Sequence, residues 1–423
     1  MKRTLRGKAS TYYKTKNIKL NLIGNEKDRG ICENCIADEN GLKSDLVEKK
    51  VFDEFIASGR FFDVRYAHAN KTILACADDG VYKFAFGKDE KFVKMLDGKR
   101  EPCALIEQAE GDFYSAYYLF GGEALMICAD GIAPIQIPLF ASDACVHFGR
   151  VFYIDAINPY KIGWSKNGVL DWEKGIDGSG ELTLDATGGR AIRVLSVGER
   201  LVIMREYAIN VFHALGSPEH FRMEAQEYFT EKILAKTCAV DGGSVYFATE
   251  SGLFRFGTRS IERLTTSLDG DFTQVQDGVA CWGKYALSCY SVSLNRYAIL
   301  IYDVDTKSAY YVCLPAENLF AGDFIYAFFD GDLYKLDNVK GDENKLYSLD
   351  YVAGDGKRRR IKTLVADCGK NIKIKVICDG VEKVFLGGGV HKVDMYADKF
   401  TVEIFGEGKI KNLYLTCEVA NGI

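Results

Sequence analysis

The sequence predicts an all-β protein, because aromatic residues are abundant, proline is scarce and glycines separate many short apolar runs. The chain of 423 residues contains 24 Tyr and 26 Phe but only 6 Pro, together with 42 Gly. Aromatic side chains pack well on a pleated surface, and frequent turn residues divide a chain into short strands. Hydrophobic residues make up 48% and charged residues 27%. These values are ordinary for a globular protein and exclude collagen-like, low-complexity and coiled-coil classes.

We expect residues 1–60 to form an irregular N-terminal arm and lead-in. One short helix is predicted at 45–56, because Asp45 and Glu48 have the spacing of a capping box and apolar residues recur at every fourth position from Val47. The arm is basic, since no acidic residue precedes Glu26. It is either a solvated tail or a segment that docks on an acidic neighbouring subunit. Its candidate partner-binding residues are Lys2, Arg3, Arg6, Lys8, Lys14, Lys16 and Lys19.

Residues 61–345 repeat one pattern, an apolar strand followed by a small acidic or glycine turn and a second strand rich in aromatics. Copies begin at Ile73, Ala124, Val245 and Ile325. Asp-Gly and related pairs suit tight hairpin turns that need positive φ. Copies recur at intervals near 50 residues, and a repeat of about 40–50 residues built of antiparallel hairpins indicates a β-propeller blade. We therefore predict a β-propeller of about six or seven blades, with one helix at 226–236 crossing between blades.

Residues 346–423 predict a separate small C-terminal β-sandwich. Segments such as 372–377 and 399–405 alternate apolar residues with Lys or Glu, as half-buried antiparallel strands do. A basic run precedes them and is a second candidate for partner binding, although charge on an exposed strand edge also discourages edge-to-edge pairing. The run comprises Lys357, Arg358, Arg359 and Arg360.

Charge and cysteine content limit the cellular setting and the partners. The formal net charge is −5, which does not suit a general nucleic-acid binder, and we expect no sequence-specific nucleic-acid partner. The N-terminus lacks the apolar run of a signal peptide, and no stretch is apolar enough to span a bilayer. Thirteen cysteines, an odd number and mostly inside apolar strands, are expected to be free thiols. We therefore expect assembly in a cytoplasm.

The sequence offers little catalytic chemistry. It contains no nucleophile elbow, P-loop or HExxH motif, and the single CxxC at Cys32 and Cys35 lacks further zinc ligands. We expect no metal, no cofactor and no catalytic residue. Carboxylates that a propeller glycosidase could use lie in hairpin turns, where aspartate is expected for local hydrogen bonding. They are Asp78, Asp79, Asp130, Glu250 and Asp330.

The segment from Asp155 to Phe212 resembles the β-propeller virion proteins of tailed bacteriophages. A strand ending in Trp164 and Ser165 is followed by Asp171-Trp172 and a Thr-Leu strand, and then by Leu-Val-Ile-Met before Tyr207. Residues 34–42 and 245–256 resemble the lead-in and a late blade of the same family. The resemblance covers about residues 30–260.

The resemblance implies a non-enzymatic structural component of a phage or prophage-derived particle, found in the virion and assembled in the host cytoplasm. It would belong to the neck or tail hub, connect the portal or head to the tail, and form a symmetric homo-oligomeric ring with other virion proteins. Three alternatives remain open: a distal tail or baseplate attachment protein, a propeller that binds or cleaves carbohydrate, and an intracellular scaffold propeller, against which the absence of WD or kelch signatures argues. In the second, Trp164, Trp172 and Trp282 would stack on sugars; otherwise these three residues are blade core.

Overall fold

The structure is a computed structural model that describes most of the chain. The described residues are 13–19, 31–38, 41–51, 61–68, 70–110, 113–128, 131–167, 171–175, 177–257, 260–264, 269–338, 344–352 and 359–420. Contacts divide the chain into two compact units. The first is formed by Glu48–Lys307 with Cys313–Leu336, and the second by Met1–Val47, Ser308–Val312 and Asp337–Ile423.

The described part of residues 1–60 contributes five strands, although the sequence led us to expect an irregular arm. These strands are β1 (Tyr13–Lys19), β2 (Ile31–Cys32), β3 (Cys35–Asp38), β4 (Gly41–Ser44) and β5 (Leu46–Lys50). The helix predicted at 45–56 is wrong in its described part, which is β5; residues 52–60 lie outside the described part of the chain. The spacing that suggested a helix also fits a strand, because Val47 and Val51 share one face at period two.

Seven four-stranded antiparallel sheets, here called blades 1–7, follow in chain order. Their strands are β6 (Phe61–Ala67), β7 (Thr72–Ala77), β8 (Gly80–Ala85) and β9 (Val93–Asp97) in blade 1; β10 (Ala104–Glu110), β11 (Phe113–Leu119), β12 (Glu123–Cys128) and β13 (Gly131–Gln136) in blade 2; β14 (Ala141–His147), β15 (Arg150–Asp155), β16 (Lys161–Trp164) and β17 (Gly180–Thr183) in blade 3; β18 (Ala191–Val197), β19 (Arg200–Arg205), β20 (Ala208–His213) and β21 (Arg222–Tyr228) in blade 4; β22 (Ala239–Asp241), β23 (Ser244–Ala248), β24 (Leu253–Phe256) and β25 (Ile261–Arg263) in blade 5; β26 (Phe272–Cys281), β27 (Lys284–Ser291), β28 (Arg296–Asp303) and β29 (Ser308–Val312) in blade 6; and β30 (Asn318–Ala321), β31 (Ile325–Phe329) and β32 (Asp332–Asn338) in blade 7.

The helix predicted at 226–236 is wrong. Residues 222–228 are the outer strand β21, and the helical elements described around it are two three-residue 3-10 turns, Pro218–His220 and Ala235–Thr237. The side chains of β21 are mostly exposed, so this strand lacks the apolar face that would have produced a period-two pattern.

Blade 7 is completed by a strand from the N-terminal side of the propeller. Its sheet order is β30-β31-β32-β5. The Val51 N–H donates to the Leu333 carbonyl at 2.8 Å, and Lys50 Nζ lies 2.8 Å from an Asp332 carboxylate oxygen. The strand that precedes blade 1 thus completes blade 7 and closes the ring. Blade 7 therefore has no open outer edge at this position.

The apolar cores lie between neighbouring blades. Leu74 and Val81 of blade 1 pack with Leu125 of blade 2, and Val202 of blade 4 packs with Phe247 of blade 5. All six residues of β7 are buried. A strand that is buried on both faces has apolar residues at consecutive positions rather than at every second position. This explains the short uninterrupted apolar runs that mark the blades in the sequence.

The second unit contains two sheets that share one hydrophobic core. Its remaining strands are β33 (Lys345–Val352), β34 (Arg359–Cys368), β35 (Ile372–Cys378), β36 (Val381–Leu386), β37 (Gly389–Ala397), β38 (Lys399–Gly406) and β39 (Lys409–Ala420). One sheet has the order β3-β4-β39-β34-β37 with β1 also on β39, and the other has the order β2-β33-β38-β35-β36. Leu364 and Leu415 of the first sheet share the core with Ile374 and Ile404 of the second.

Candidate functional site: the central channel

One cavity of about 600 Å³ is lined by the first strand of every blade. The lining strands are β6, β10, β14, β18, β22, β26 and β30, which are therefore the innermost strands of the ring. The cavity carries several charged side chains among apolar ones, including Asp63, Arg65, Glu107, Arg193 and Asp277. This central channel is the first place to look for ligand chemistry, because concave sites with convergent polar groups are the usual binding sites.

Several innermost strands share a backbone irregularity that introduces a charged residue. The pairing register shifts between Phe61 and Asp63 in β6, between Ala141 and Asp143 in β14, and between Ala191 and Arg193 in β18. The pairing register of β26 also shifts, between Thr273 and Asp277. Bulges re-aim side chains, and here each bulge is followed by a charged residue on the first strand of its blade.

Asp63 joins blade 1 to blade 2. Its carboxylate accepts hydrogen bonds from Arg65 at 2.9 Å and from the Tyr118 hydroxyl at 2.7 Å. Burial opposes the charge of Arg65, but the neighbouring Asp63 carboxylate outweighs it and raises the pKa of Arg65. Burial raises the pKa of Tyr118 well above its usual range. The three groups form a satisfied network in which the phenol donates and both charges are paired.

Asp143 joins blade 3 to blade 4. Its side chain is 4% exposed, accepts a hydrogen bond from the Val194 N–H at 2.7 Å and lies 3.4 Å from the Arg193 Nε. Burial raises the pKa of Asp143, while Arg193 and the backbone donor oppose that shift. Arg193 and the Val194 N–H therefore offset only part of the cost of burying this carboxylate in its charged form.

Asp277 joins blade 6 to blade 7 and accepts a hydrogen bond from the Leu319 N–H at 2.9 Å. Burial raises the pKa of Asp277 to about 6, against the opposing effect of backbone donors and of Lys236. Blade 7 is linked to blade 1 by Asn318, whose side-chain amide donates a hydrogen bond to the Phe61 carbonyl at 3.0 Å. These side chains thus link blade 1 to blade 2, blade 3 to blade 4, blade 6 to blade 7 and blade 7 to blade 1.

These charged residues of the innermost strands were not predicted from the sequence as candidate site residues. The signal was present, because charged residues are rarely buried unless paired, and each of Asp63, Asp143 and Arg193 interrupts the start of an otherwise apolar strand. The pattern becomes meaningful only once these strands are known to be the innermost ones.

Of the five carboxylates considered for glycoside chemistry, the four in the described part of the chain lie outside the regular strands and not among the channel-lining residues. Asp78 pairs with Lys99 at 2.9 Å, and Asp79 accepts from Lys94 at 3.0 Å and from the Tyr82 hydroxyl at 2.6 Å. The Tyr82 hydrogen bond, with Lys94, lowers the pKa of Asp79. Glu250 is exposed in the turn after β23, Asp330 has a positive φ of 49° in its turn, and Asp130 lies outside the described residues.

The candidate partner-binding cations fall into three groups. Lys2, Arg3, Arg6, Lys8, Lys357 and Arg358 lie outside the described residues. Lys14, Lys16 and Lys19 belong to β1, whose backbone pairs with β39 from Tyr13↔Ala420 to Lys19↔Tyr414.

The third group consists of Arg359 and Arg360, which bind within the second unit. Arg359 is 6% exposed and donates to the Tyr351 hydroxyl at 3.2 Å, and Arg360 donates to Asp394 at 2.8 Å. The Asp394 hydrogen bond raises the pKa of Arg360. The role of these cations in partner binding stays a prediction.

The three tryptophans differ in environment. Trp164 is 9% exposed and packs against Phe152 and Phe221, and the half-buried Trp172 packs edge-on against Tyr153 at 5.5 Å. Trp282, by contrast, is 70% exposed. The first two are blade core, and the third is a surface residue.

Among the described residues, cysteine and metal chemistry is limited. The 12 cysteines with described side chains are free thiols, and burial raises the pKa of most, including Cys145 and Cys238. Cys35 is buried and donates to the Leu346 carbonyl at 2.9 Å. No group of three or more potential metal ligands occurs in the described part of the chain. Its helical turns are too short to cross a membrane.

Comparison with known proteins shows the fold. No family model and no curated protein matches the sequence. Among solved structures, the chain is similar to the β-propeller domain of Cps50 (Swd1) from Myceliophteria thermophila, with a TM-score of 0.50 and 9% identity over 68% of this chain and 100% of that one. The chain is a β-propeller. Its seven blades match the upper value of the predicted six or seven.

Two further structures give the same result. Raptor from Chaetomium thermophilum has a TM-score of 0.50 and 11% identity, over 73% of this chain and 29% of that one. The extracellular domain of the putative hybrid two component system BT4673 from B. thetaiotaomicron has a TM-score of 0.50 and 9% identity, over 85% of this chain and 58% of that one. At these identities the propeller shares the fold alone with its neighbours.

Proposed function

We propose that this propeller is a non-enzymatic structural component of a tailed-phage or prophage-derived particle, part of the neck or tail hub that connects the portal or head to the tail. The observation that supports a structural role is the pairing of three carboxylates on the innermost strands. Asp63, Asp143 and Asp277 each bond to the next blade. Catalytic carboxylates need a reactive face directed at a substrate, whereas these carboxylates stabilise the ring.

The assignment to a virion rests on the sequence resemblance of residues 155–212. A ring-shaped, rigid propeller suits repeated placement around a symmetry axis, because a closed assembly requires each copy to present the same surfaces. The partners would be further copies of the chain and the portal, neck or tail subunits.

The direct test locates the protein in a particle. Antibody raised against the purified chain, with gold-labelled secondary antibody, is applied to particles induced from the strain that encodes it and imaged by electron microscopy. Gold at the head–tail junction supports the neck or tail hub, and gold at the distal tip supports the attachment alternative. Purified particles without gold, from a lysate in which the chain is expressed, would overturn the virion role.

A second test uses the basic arm. A variant lacking residues 1–25 is compared with the intact chain for solution mass by light scattering and for ring formation with portal or tail subunits in electron-microscope class averages. We expect the variant to keep a folded propeller and to lose incorporation. Normal incorporation of the truncated chain would contradict a docking role for the arm.

The carbohydrate-binding alternative is favoured at one position only. Of the three tryptophans proposed to stack on sugars, Trp164 and Trp172 serve the blade core, while Trp282 remains available on the surface.

A further inference from the structure

Trp282 occupies a turn position that disfavours it. It forms, with Gly283, the two-residue turn between β26 and β27, which is closed by the pair Cys281↔Lys284. The φ angles of Trp282 and Gly283 are 52° and 73°. Turns with positive φ at both central residues strongly prefer Asn or Asp followed by Gly. A bulky side chain there is strained, and such strain tends to mark functional positions.

The strain brings little burial, because the indole is 70% exposed although its ring meets Phe324 edge-on at 5.9 Å. Phe148 holds the corresponding position in the turn between β14 and β15, with φ 45° before Gly149, but it is less exposed, at 47%, and its ring lies 4.6 Å from that of the buried His147. The other described non-glycine residues with positive φ are polar or charged; they are Asn34, Lys71, Gln274, Asn295, Lys307, Asp330, Asp379 and Asp394. An aromatic residue displayed in this way needs an explanation outside the fold.

Trp282 is the outer end of an aromatic row that leads toward the channel. Its ring lies 5.9 Å from Phe324, which lies 6.2 Å from Tyr326. Tyr326 continues to Tyr66, at 6.2 Å, and Tyr66 lines the channel. We name Trp282 and Phe324 the Trp282 ledge.

Charged groups flank the ledge, and they are already paired. Lys335 Nζ lies 4.4 Å from the centre of the Phe324 ring, and Lys71 lies 3.4 Å from Asp323, the residue before Phe324. Lys71 and Asp323 remain 64% and 58% exposed. Such a pair offers hydrogen-bond donors and acceptors to a neutral polar ligand, whereas it offers no uncompensated positive charge to a phosphate.

The surroundings also argue against a protein interface centred here. Apart from Trp282, blades 5, 6 and 7 contribute one exposed large apolar residue to the described surface, Val292, which lies in the turn after β27 and hence at the opposite end of its blade. A stable interface needs about 800 Å² from each partner with an apolar centre. One isolated indole beside hydrogen-bonding groups instead fits a small ligand with one apolar face and a polar edge.

We propose that the Trp282 ledge is a saccharide-binding site. The apolar C–H face of one pyranose ring would pack on the Trp282 indole, and its hydroxyls would exchange hydrogen bonds with the Asp323 carboxylate and the Lys71 ammonium group. This site goes beyond the structural role proposed above and does not depend on it, since a sugar-binding propeller need not belong to a particle.

The test uses the preference of the turn at Trp282 and Gly283 for Asn or Asp at its first position. Trp282→Asn places a favoured residue at the strained position, so the variant is expected to melt at the same temperature as the unchanged chain or higher. Phe148→Asn makes the matched change in blade 3. Both variants and the unchanged chain are applied to an array of short malto-, cello-, chito- and manno-oligosaccharides, and the strongest binder is titrated by calorimetry.

We expect binding by the unchanged chain and by Phe148→Asn, with a loss of roughly tenfold or more in Trp282→Asn. The bound oligosaccharide should also protect Trp282 from acrylamide quenching, because the other two tryptophans are buried or half-buried. An array without any binder, or equal affinity in Trp282→Asn, would overturn the proposal. Neither result bears on where gold-labelled antibody binds on a particle.

Discussion

The propeller and the two-sheet unit are both built from antiparallel strands, but they assemble from the chain in opposite ways. Within blades 1–6 each strand pairs with the next one in sequence. In the two-sheet unit the ends of the chain meet, because β1 pairs with β39 from Tyr13↔Ala420 onward and β2 pairs with β33. Local pairing leaves a repeating trace in the sequence, whereas distant pairing leaves none.

The two units also differ in what lies at their centres. In the propeller, acidic residues such as Asp143 and Asp277 lie inside the ring and bond across blades. In the two-sheet unit, the shared core is apolar, with Ile374, Val402 and Leu415 fully buried. We therefore expect the propeller to respond to pH and the two-sheet unit to respond mainly to loss of apolar volume or of strand pairing.

The largest effect should come from truncating one core side chain in each unit, because the two variants report on the stability of the two units separately. Phe328 is fully buried between Phe61 and Phe92, and Ile404 is fully buried in the two-sheet core. Phe328→Ala should destabilise the propeller by about 4 kcal/mol and Ile404→Ala the two-sheet unit by about 3 kcal/mol. Scanning calorimetry should show one transition move in each variant. Equal movement of both transitions in both variants would mean that the units unfold as one.

Removal of residues 1–25 should act on the two-sheet unit alone. The deletion removes β1 and uncovers the edge of β39 along seven register pairs. At ~0.5 kcal/mol for each of the roughly seven hydrogen bonds, the low end of the net range, the unit should lose about 3–4 kcal/mol. Guanidinium unfolding followed by circular dichroism measures the loss. If the unfolding transition of the propeller shifts as much as that of the two-sheet unit, β1 stabilises both units.

Asp277→Asn should change the pH dependence of the propeller. Burial raises the pKa of Asp277 from 3.8 to about 6 in the folded protein, so its contribution to stability is complete below the unfolded pKa and is lost as pH rises through about 6. Between about pH 4 and pH 7 the unchanged propeller should lose about 1–2 kcal/mol relative to the variant, after discounting because Asp277 is only half-buried. Thermal melts at several pH values test this. Parallel curves for the two proteins would remove Asp277 as the cause.

The smallest effect concerns a single hydrogen bond between blades. The buried Tyr285 hydroxyl donates to the Thr237 carbonyl at 2.8 Å. Tyr285→Phe keeps the ring and removes the donor, so the propeller should lose about 1 kcal/mol. Tyr297→Phe is the control, because its hydroxyl contacts the exposed Gln274 instead. If Tyr285→Phe is as stable as the control, the bonds between blades 5 and 6 add little to ring closure.

The sequence by itself determined the all-β class and the blade hairpins. These depend on neighbours in the chain: a turn such as Asp330-Gly331 adopts φ angles of 49° and 81° because those two residues accept them. Apolar runs such as β7 follow from burial on both faces. Each of these features is specified within one or two strands, so residue type and spacing suffice to predict it.

The tertiary structure decided the features that depend on distant partners. Residues 46–50 could not be recognised as the closing strand of blade 7, because their partner β32 lies almost the whole propeller away in sequence. The sequence also could not distinguish the exposed Trp282 from the buried Trp164, since both have apolar residues and glycine as sequence neighbours. Burial and strand pairing are properties of what packs against a residue, and that is fixed only when separate parts of the chain meet.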